Sequence, residues 1–240
     1  MNRPVDAKGP GTPIQEFDAY SQAYLSTLNQ VTRITGESGE FFAELKARYL
    51  VRALGGDFSG KMLDFGCGIG LLSRYLLRHF PACELHGYDI SERSIEEIEP
   101  AIISSGKFTC RENELDEDYD LIVVANVMHH IAAEKRLEAV LPLCNRLAPG
   151  GNLVVFEHNP ANPLTRHAVR ICPFDVGAAL LQPKEVSTYL QLAGLNIVKK
   201  SYITFFPRWF SWLRAFESFL GWCPLGAQYA VMGRKSRKSS

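Results

Sequence analysis

The chain of 240 residues has no surplus of charge: Lys plus Arg and Asp plus Glu each number 26, so the formal net charge is zero. A balanced chain offers no general field for a polyanion, which argues against nucleic acid as a partner. Its cysteines, at positions 67, 83, 110, 144, 172 and 223, form no C-x-x-C pair and mostly sit in apolar runs. They read as reduced core or pocket residues, not as a disulfide frame or a zinc knuckle. Residues 1–13 lack the apolar run of a signal peptide or a spanning helix, so the cytoplasm is the expected compartment, with peripheral membrane contact left open. No long low-complexity tract interrupts the chain, and its length suits one domain with a well-buried core.

What the chain does have is Leu63-Asp64-Phe65-Gly66-Cys67-Gly68-Ile69-Gly70, an acid and three glycines where an apolar strand turns into a helix. Lys61-Met62-Leu63 starts the strand, and Leu71, Leu72, Tyr75, Leu76 and Phe80 recur at helical spacing beyond it. Glycine accepts positive φ and lets a ligand approach the backbone, while a helix N-terminus adds unpaired N–H donors aimed at the same place. The junction therefore reads as a cradle for a nucleoside. It is not a phosphate loop, whose helix opens with Gly-Lys-Ser/Thr, because here the residues are Gly70-Leu71-Leu72. Nor does it complete the dinucleotide pattern G-x-G-x-x-G, whose third glycine would fall on Leu71 while Gly70 sits one residue early. Asp64 would repel a pyrophosphate and suits a ligand with a cationic amino acid end.

Asp64 to Gly70 resembles motif I of the class I S-adenosylmethionine-dependent methyltransferases, and three further segments follow in that family's order. Cys83 to Asp89 reads as a strand ending in an acid about twenty residues past the glycines, where a carboxylate accepts ribose hydroxyls. Tyr119 to Asn126 resembles motif IV, and Leu147-Ala148-Pro149-Gly150-Gly151 resembles the turn before the fifth strand. The resemblance implies a Rossmann-like α/β fold: a doubly wound, mostly parallel seven-stranded sheet with helices on both faces and a C-terminal antiparallel hairpin. It also implies S-adenosyl-L-methionine as cofactor and a small-molecule methyltransferase of the type 11 or 12 branch. On that basis Asp64, Gly66, Cys67, Gly68 and Gly70 hold the amino acid end. Asp89 with Ile90 takes the ribose side, one of Glu112, Asn113 or Glu114 meets the adenine, and Asn126 lies beside the methyl group. Tyr20 and Tyr24 are expected either over the sulfonium or in an aromatic stripe packed on the sheet edge. The Asn-Pro-Pro-Tyr signature of amino-methyltransferases is absent at the fourth strand, which argues against DNA bases and glutamine side chains. A nicotinamide-dependent reductase and a methyltransferase fold without catalysis are the two alternative classes.

The rest of the chain alternates. Strands are expected at 61–65, 83–89, 107–111, 119–125 and 151–157, with helices at 71–80, 91–103 up to Pro100, and 132–147 despite Pro142. A helical leader over 14–54 is broken by Gly36-Glu37-Ser38-Gly39, and a helix from Pro183 stops at Gly194 before two strands at 196–206 and 227–234. The expected organisation is a disordered end at 1–13, one domain over 14–234 and a basic tail at 235–240. An aromatic insert at 207–226 lies within the terminal hairpin.

Methyl transfer is an in-line displacement, so the protein must align the acceptor and exclude water. His129 and His158, each at the end of a strand that borders the methyl group, are the preferred catalytic pair for an acceptor hydroxyl. Glu157 is placed to orient or bind the acceptor, and Arg166 with Arg170, one helical turn apart, read either as a clamp for an anion or as a solvated helix face. Trp209, Trp212, Leu213, Phe216, Phe219 and Leu220 fall on one helical stripe, with Arg214, Glu217 and Ser218 opposite. That stripe reads either as a lid over an apolar or lipid-linked acceptor, with Trp209 touching it, or as core against the sheet edge. No metal is expected, since Glu157, His158 and His167 lack ligand spacing. The acceptor is expected to be a small molecule, oxygen ahead of nitrogen or carbon, acidic or lipid-linked; nothing in the sequence gives an oligomeric state.

Overall fold

A computed structural model describes residues 24–33 and 36–237. Its strands are β1 Lys61–Phe65, β2 Glu84–Tyr88, β3 Gly106–Thr109, β4 Tyr119–Ala125, β5 Leu147–His158, β6 Leu195–Ile203 and β7 Gln228–Lys235. They form one seven-stranded sheet in the order β3-β2-β1-β4-β5-β7-β6. The first five pair in parallel, and β7 inserts antiparallel between β5 and β6. This is the doubly wound sheet with a terminal antiparallel hairpin that the motifs imply.

Alternation along the strands divides the core between two faces. Leu121 and Val123 of β4, Val154 and Phe156 of β5, and Ala230 and Met232 of β7 pack with Ala47 and Leu50 of α2 (Gly39–Leu54) and with Leu72 and Leu76 of α3 (Leu71–His79). The intervening Ile122, Val124, Leu153, Val155, Tyr229 and Val231 face the opposite layer, which holds Val140 and Leu143 with Val186 and Leu190. Strands buried on both faces read as continuous apolar runs, as these do. The chain reverses its winding between β1 and β4, and the crevice at their carboxyl ends is where such sheets take ligands.

The leader breaks where the glycines place the break. Helix α1 (Tyr24–Thr32) ends before Gly36, and Ser38 caps α2 by accepting from the Phe41 N–H. Residues 1–13, Tyr20 and the side chain of Tyr24 lie outside the described residues. The helix expected over 91–103 is two short ones, α4 Glu92–Glu96 and α5 Pro100–Ile103, because Pro100 cannot donate to a preceding turn and starts a new one. Helix α6 runs Arg136–Asn145 after a 3₁₀ turn at Ala133–Lys135, with Pro142 inside it. Two more helices, α7 (Pro163–Ile171) and α8 (Pro183–Leu192), flank the connection to β6. The basic tail begins later than expected: Lys235 belongs to β7, and its ammonium donates to the carbonyls of Asn145 and Leu147 at 2.9 and 2.6 Å.

Of the two readings of the aromatic insert, packing as core is overturned. Arg208–Phe219 is 3₁₀ helix with a kink at Phe210, and no residue of it is buried. Trp209, Trp212, Phe216, Phe219 and Trp222 are exposed, so the stripe is not core. The polar side holds the segment down. Glu217 accepts from the Phe205 and Phe206 N–H groups at 3.0 Å, and Arg214 donates to the Phe206 carbonyl, pairs with Glu37 and stacks over the Phe41 ring at 4.3 Å. No helix among the described residues is long and apolar enough to cross a membrane.

Candidate active site

A cavity of about 780 Å³ lies at the carboxyl ends of β1, β2, β4 and β5. One end is the glycine turn. Gly66, Gly68 and Gly70 have φ of 79°, 53° and 75°, all in the left-handed region, which explains why each is glycine. They differ in what surrounds them. A Cβ on Gly66 would lie 2.3 Å from Val127 Cγ2, whereas one on Gly68 would meet nothing within 4 Å. The first glycine serves packing, and the second faces the cavity. Gly70 is the N-cap of α3 and is packed under Ile98, so its role is to start the helix.

Asp89 ties this turn to the end of β2. Its Oδ2 accepts from the Gly68 N–H at 2.8 Å and its Oδ1 from the Ser91 N–H at 2.9 Å, and the Ser91 hydroxyl in turn caps α4 through the Ser94 N–H. Each carboxylate oxygen keeps lone-pair capacity for a ribose hydroxyl. Ile90 and Tyr88 line the adjoining wall. Glu112 and Glu114, with Asn113, form a 3₁₀ turn that is not part of the cavity lining; Glu114 pairs with Arg111 instead.

Asp64 is buried at the foot of the turn and accepts from the Ser73 hydroxyl of α3 at 2.7 Å. Burial raises its pKa to about 7, with the Asp89 charge adding and the Ser73 bond and Lys46 opposing. Lys46 is a residue the sequence reading missed. It sits on α2, 4% exposed, in the cavity wall, and burial lowers its pKa to about 8 against the attraction of Glu157 and Asp64. Its helical position between Ala43, Ala47 and Leu50 on the buried face is the only signal, and an isolated lysine there reads as one that snorkels.

The other end of the cavity is a cluster of imidazoles and carboxylates. Glu157, at the end of β5 and fully buried, accepts from the Met128 N–H at 2.7 Å and from His129 Nδ1 at 2.5 Å. His129 is 2% exposed, and its Nε2 lies 3.4 Å from Asp175 Oδ1 without making a hydrogen bond to it. His158 stands 5.2 Å away, centroid to centroid. Burial alone would lower the His129 pKa, but Glu157 and Asp175 outweigh it and raise it, while burial and the His129 charge push His130 and His158 down to about 4. Asp175, on a 3₁₀ turn after α7, is the second residue sequence reasoning missed. Its histidine partners are more than fifteen positions away along the chain, a separation that carries no pattern.

Asn126 ends β4 at φ 57°, a left-handed conformation that asparagine tolerates, and its side-chain oxygen is buried without a hydrogen-bond partner among the described residues. The same holds for His129 Nε2, Thr204 Oγ1 and Gln228 Oε1, and all four residues line the one cavity. Buried polar atoms are ordinarily paired, so this concentration marks a surface shaped for a polar ligand. The anion clamp, by contrast, is not there: Arg166 and Arg170 lie on the solvent face of α7, because Leu164, Thr165, Ala168 and Val169 turn toward the cavity instead. Trp209 is 58% exposed and outside the lining, which at that edge consists of Phe205, Phe206 and Pro207.

Residues 63–153 match the family described as a methyltransferase domain. That segment, under two fifths of the chain, is similar to the methyltransferase domain of S-adenosylmethionine-dependent enzymes. Among curated proteins it is similar to a trans-aconitate 2-methyltransferase of Mycobacterium ulcerans, 26% identical over 159 residues that cover 62% of this chain and 60% of that protein. The chain thus spans about three fifths of the length of the curated relatives it matches. The magnesium protoporphyrin IX methyltransferase of Synechocystis, solved with S-adenosylhomocysteine bound, superposes with a TM-score of 0.63 at 14% identity, covering 93% of this chain and 99% of that one. The cyclase SpnF superposes at 0.67 with 16% identity, covering 95% and 98%. At such identities the likeness is one of fold. The cofactor of this superfamily fits the residues present: an open glycine turn, a carboxylate on two backbone N–H groups, and a buried acid and lysine on one wall.

Proposed function

We propose that the protein transfers a methyl group from S-adenosylmethionine to an oxygen nucleophile on a small, largely apolar acceptor. The observation that carries this reading is the union, in one cavity, of the glycine turn with Asp89 and of the buried His129–Glu157 pair with His158 and Asp175. Asp64 and Lys46 present opposite charges on the wall beside the turn, which suits the ammonium and carboxylate of an amino acid end, with Lys46 the partner of the carboxylate. Asp89 holds the ribose, Ile90 flanks it, and the Gly68 backbone lets the cofactor lie close. Cys67, buried beneath the turn, packs against Ile98 and Ile102 and supports it.

When bound, the cofactor supplies a methyl group on a sulfonium, an electrophile that needs alignment more than acid catalysis. The chain's own residues do the aligning. Asn126, held at the end of β4, offers its side-chain oxygen at the boundary between the two halves of the cavity. His129 and His158 border the acceptor's oxygen and position it, and Glu157 fixes the His129 ring through Nδ1. Phe41, Phe42, Val169, Phe174 and Phe205 wall the acceptor half and exclude water.

With Arg166 and Arg170 turned to solvent, an acidic acceptor rests on Lys135 at the cavity edge and on the acceptor named for the mycobacterial relative; it is the second reading. A lipid-linked acceptor is supported by the exposed aromatics that follow the cavity edge at Phe205 to Pro207. Calorimetric titration with S-adenosylhomocysteine and with NADPH, followed by transfer of labelled methyl to hydroxylated apolar compounds, tests the proposal. Binding of the first nucleoside and not the second is expected; the reverse would overturn it.

A further inference from the structure

The cluster at the acceptor end contains more than a hydrogen-bonding pair needs. We infer that His129, His158 and Asp175 form a binding site for a divalent transition-metal cation, with Glu157 as the outer carboxylate that orients His129. One ligand atom from each of the three residues can be chosen so that all lie within 4.8 Å of one another. One edge, His129 Nε2 to Asp175 Oδ1 at 3.4 Å, is what a tetrahedral ion with bonds of about 2.1 Å requires. Two imidazoles and one carboxylate select a borderline ion such as zinc over magnesium or calcium, which favour all-oxygen sets.

The independent observation is the state of His129. Its ring is 2% exposed, Nδ1 is held by Glu157 at 2.5 Å, and Nε2, on the far side of the ring, is buried at the cavity with no hydrogen-bond partner among the described residues. A histidine whose inner nitrogen is bonded to a carboxylate and whose outer nitrogen is left bare is how metal-binding imidazoles are commonly oriented. The second cluster of this kind, Glu84, His86 and Asp116, differs in that both nitrogens of its imidazole are hydrogen-bonded, Nε2 to Glu84 at 3.1 Å. Asp116 pairs with Lys61 and Lys107 at 3.2 and 2.7 Å, and His86 Nδ1 with the Tyr119 hydroxyl at 2.9 Å.

Three protein ligands leave a coordination position facing the cavity. If the proposed methyl transfer holds, on which this sentence alone rests, an acceptor hydroxyl bound there gives up its proton more readily than in water.

The experiment is zinc titration of the chelator-stripped full chain by calorimetry, with metal analysis after dialysis, on wild type, His158→Gln, Asp175→Asn, Glu157→Gln and His86→Gln. One tightly held equivalent is expected in wild type and in His86→Gln. Affinity should fall at least a hundredfold in His158→Gln and Asp175→Asn, and roughly 10- to 100-fold in Glu157→Gln. Zinc should also raise the melting temperature of wild type but not of Asp175→Asn. Absence of a stoichiometric site, or one retained in both ligand variants or lost in His86→Gln, overturns the inference. S-adenosylhomocysteine binding, measured alongside in His158→Gln, reports that the variant is folded; its failure in wild type would sink the methyl-transfer reading and leave the zinc result to stand by itself.

Discussion

Gly68→Ala separates a ligand contact from a packing contact within a single turn. A methyl at Gly68 meets no protein atom within 4 Å, so the substitution removes no space the fold uses. Its cost to folding is the left-handed conformation alone, φ 53°, about 1 to 2 kcal/mol for an L-residue. At about 2 to 4 °C per kcal/mol for a chain of this size, the melting temperature should fall by roughly 2 to 8 °C. The cofactor, if it lies against this backbone, meets the methyl directly. Overpacking of about 1 to 3 kcal/mol corresponds to a loss of roughly 5- to 150-fold in affinity for S-adenosylhomocysteine. Gly66→Ala is the contrast: its Cβ would sit 2.3 Å from Val127 Cγ2, so the fold itself is strained and the melting temperature should fall further. Calorimetry and thermal denaturation on the two variants decide the matter. A Gly68→Ala protein with a lowered melting temperature but wild-type affinity would refute the placement of the cofactor on this turn.

Asp89→Ala should weaken S-adenosylhomocysteine binding by about 1.5 to 3 kcal/mol, the scale of hydrogen bonds to a charged group; unchanged affinity in the same titration would remove the ribose assignment. Affinity should peak between about pH 7, where Asp64 ionises, and about pH 8, where Lys46 loses its proton, and Lys46→Met should abolish the alkaline limb of a pH series. The sign for stability is opposite on the acid side. Because the folded state holds the Asp64 proton to about pH 7 and the unfolded chain only to about 4, this residue's contribution is full below pH 4 and is lost as the pH rises toward 7, an effect that Asp64→Asn should flatten in denaturant titrations. Glu157→Ala leaves the His129 ring and the Met128 N–H without their buried acceptor and should destabilise the fold by about 3 to 5 kcal/mol in urea denaturation. Trp212→Ser and Trp222→Ser, at positions 71% and 77% exposed, should change stability by less than about 0.5 kcal/mol while reducing co-sedimentation with phospholipid vesicles; loss of stability would mean the aromatics pack.

The glycine turn and its companion acid were legible because their requirements are local. Three positive φ angles and an acid at the next strand end must be written as glycines and Asp89 within about twenty-five positions, and the alternation of strand and helix fixes which strand ends they occupy. The cluster around His129 is assembled from distant pieces. Asp175 reaches His129 across 46 positions, on a 3₁₀ turn with no periodicity, and Lys46 comes from a helix that precedes the first strand. The arginine pair stayed open between a clamp and a solvated face for a related reason: spacing gives a shared face on α7 but not which face the apolar neighbours claim. The aromatic insert misled by hydropathy. A stripe of tryptophan and phenylalanine normally faces inward, yet here Arg214 and Glu217 have defined partners on the body, and those fix the orientation.

That anchoring makes one flap of two walls. Arg214 reaches from the aromatic segment to Glu37, immediately before the cap of α2, and lies over the Phe41 ring, while Gly36 of the same connection abuts Arg208. The edge formed by Phe205 to Pro207 and the edge formed by the start of α2 are therefore latched to each other across the cavity mouth. Parting the two edges would break the Arg214–Glu37 ion pair and lift Arg214 off the Phe41 ring together, so the mouth is held from the surface, remote from the histidines.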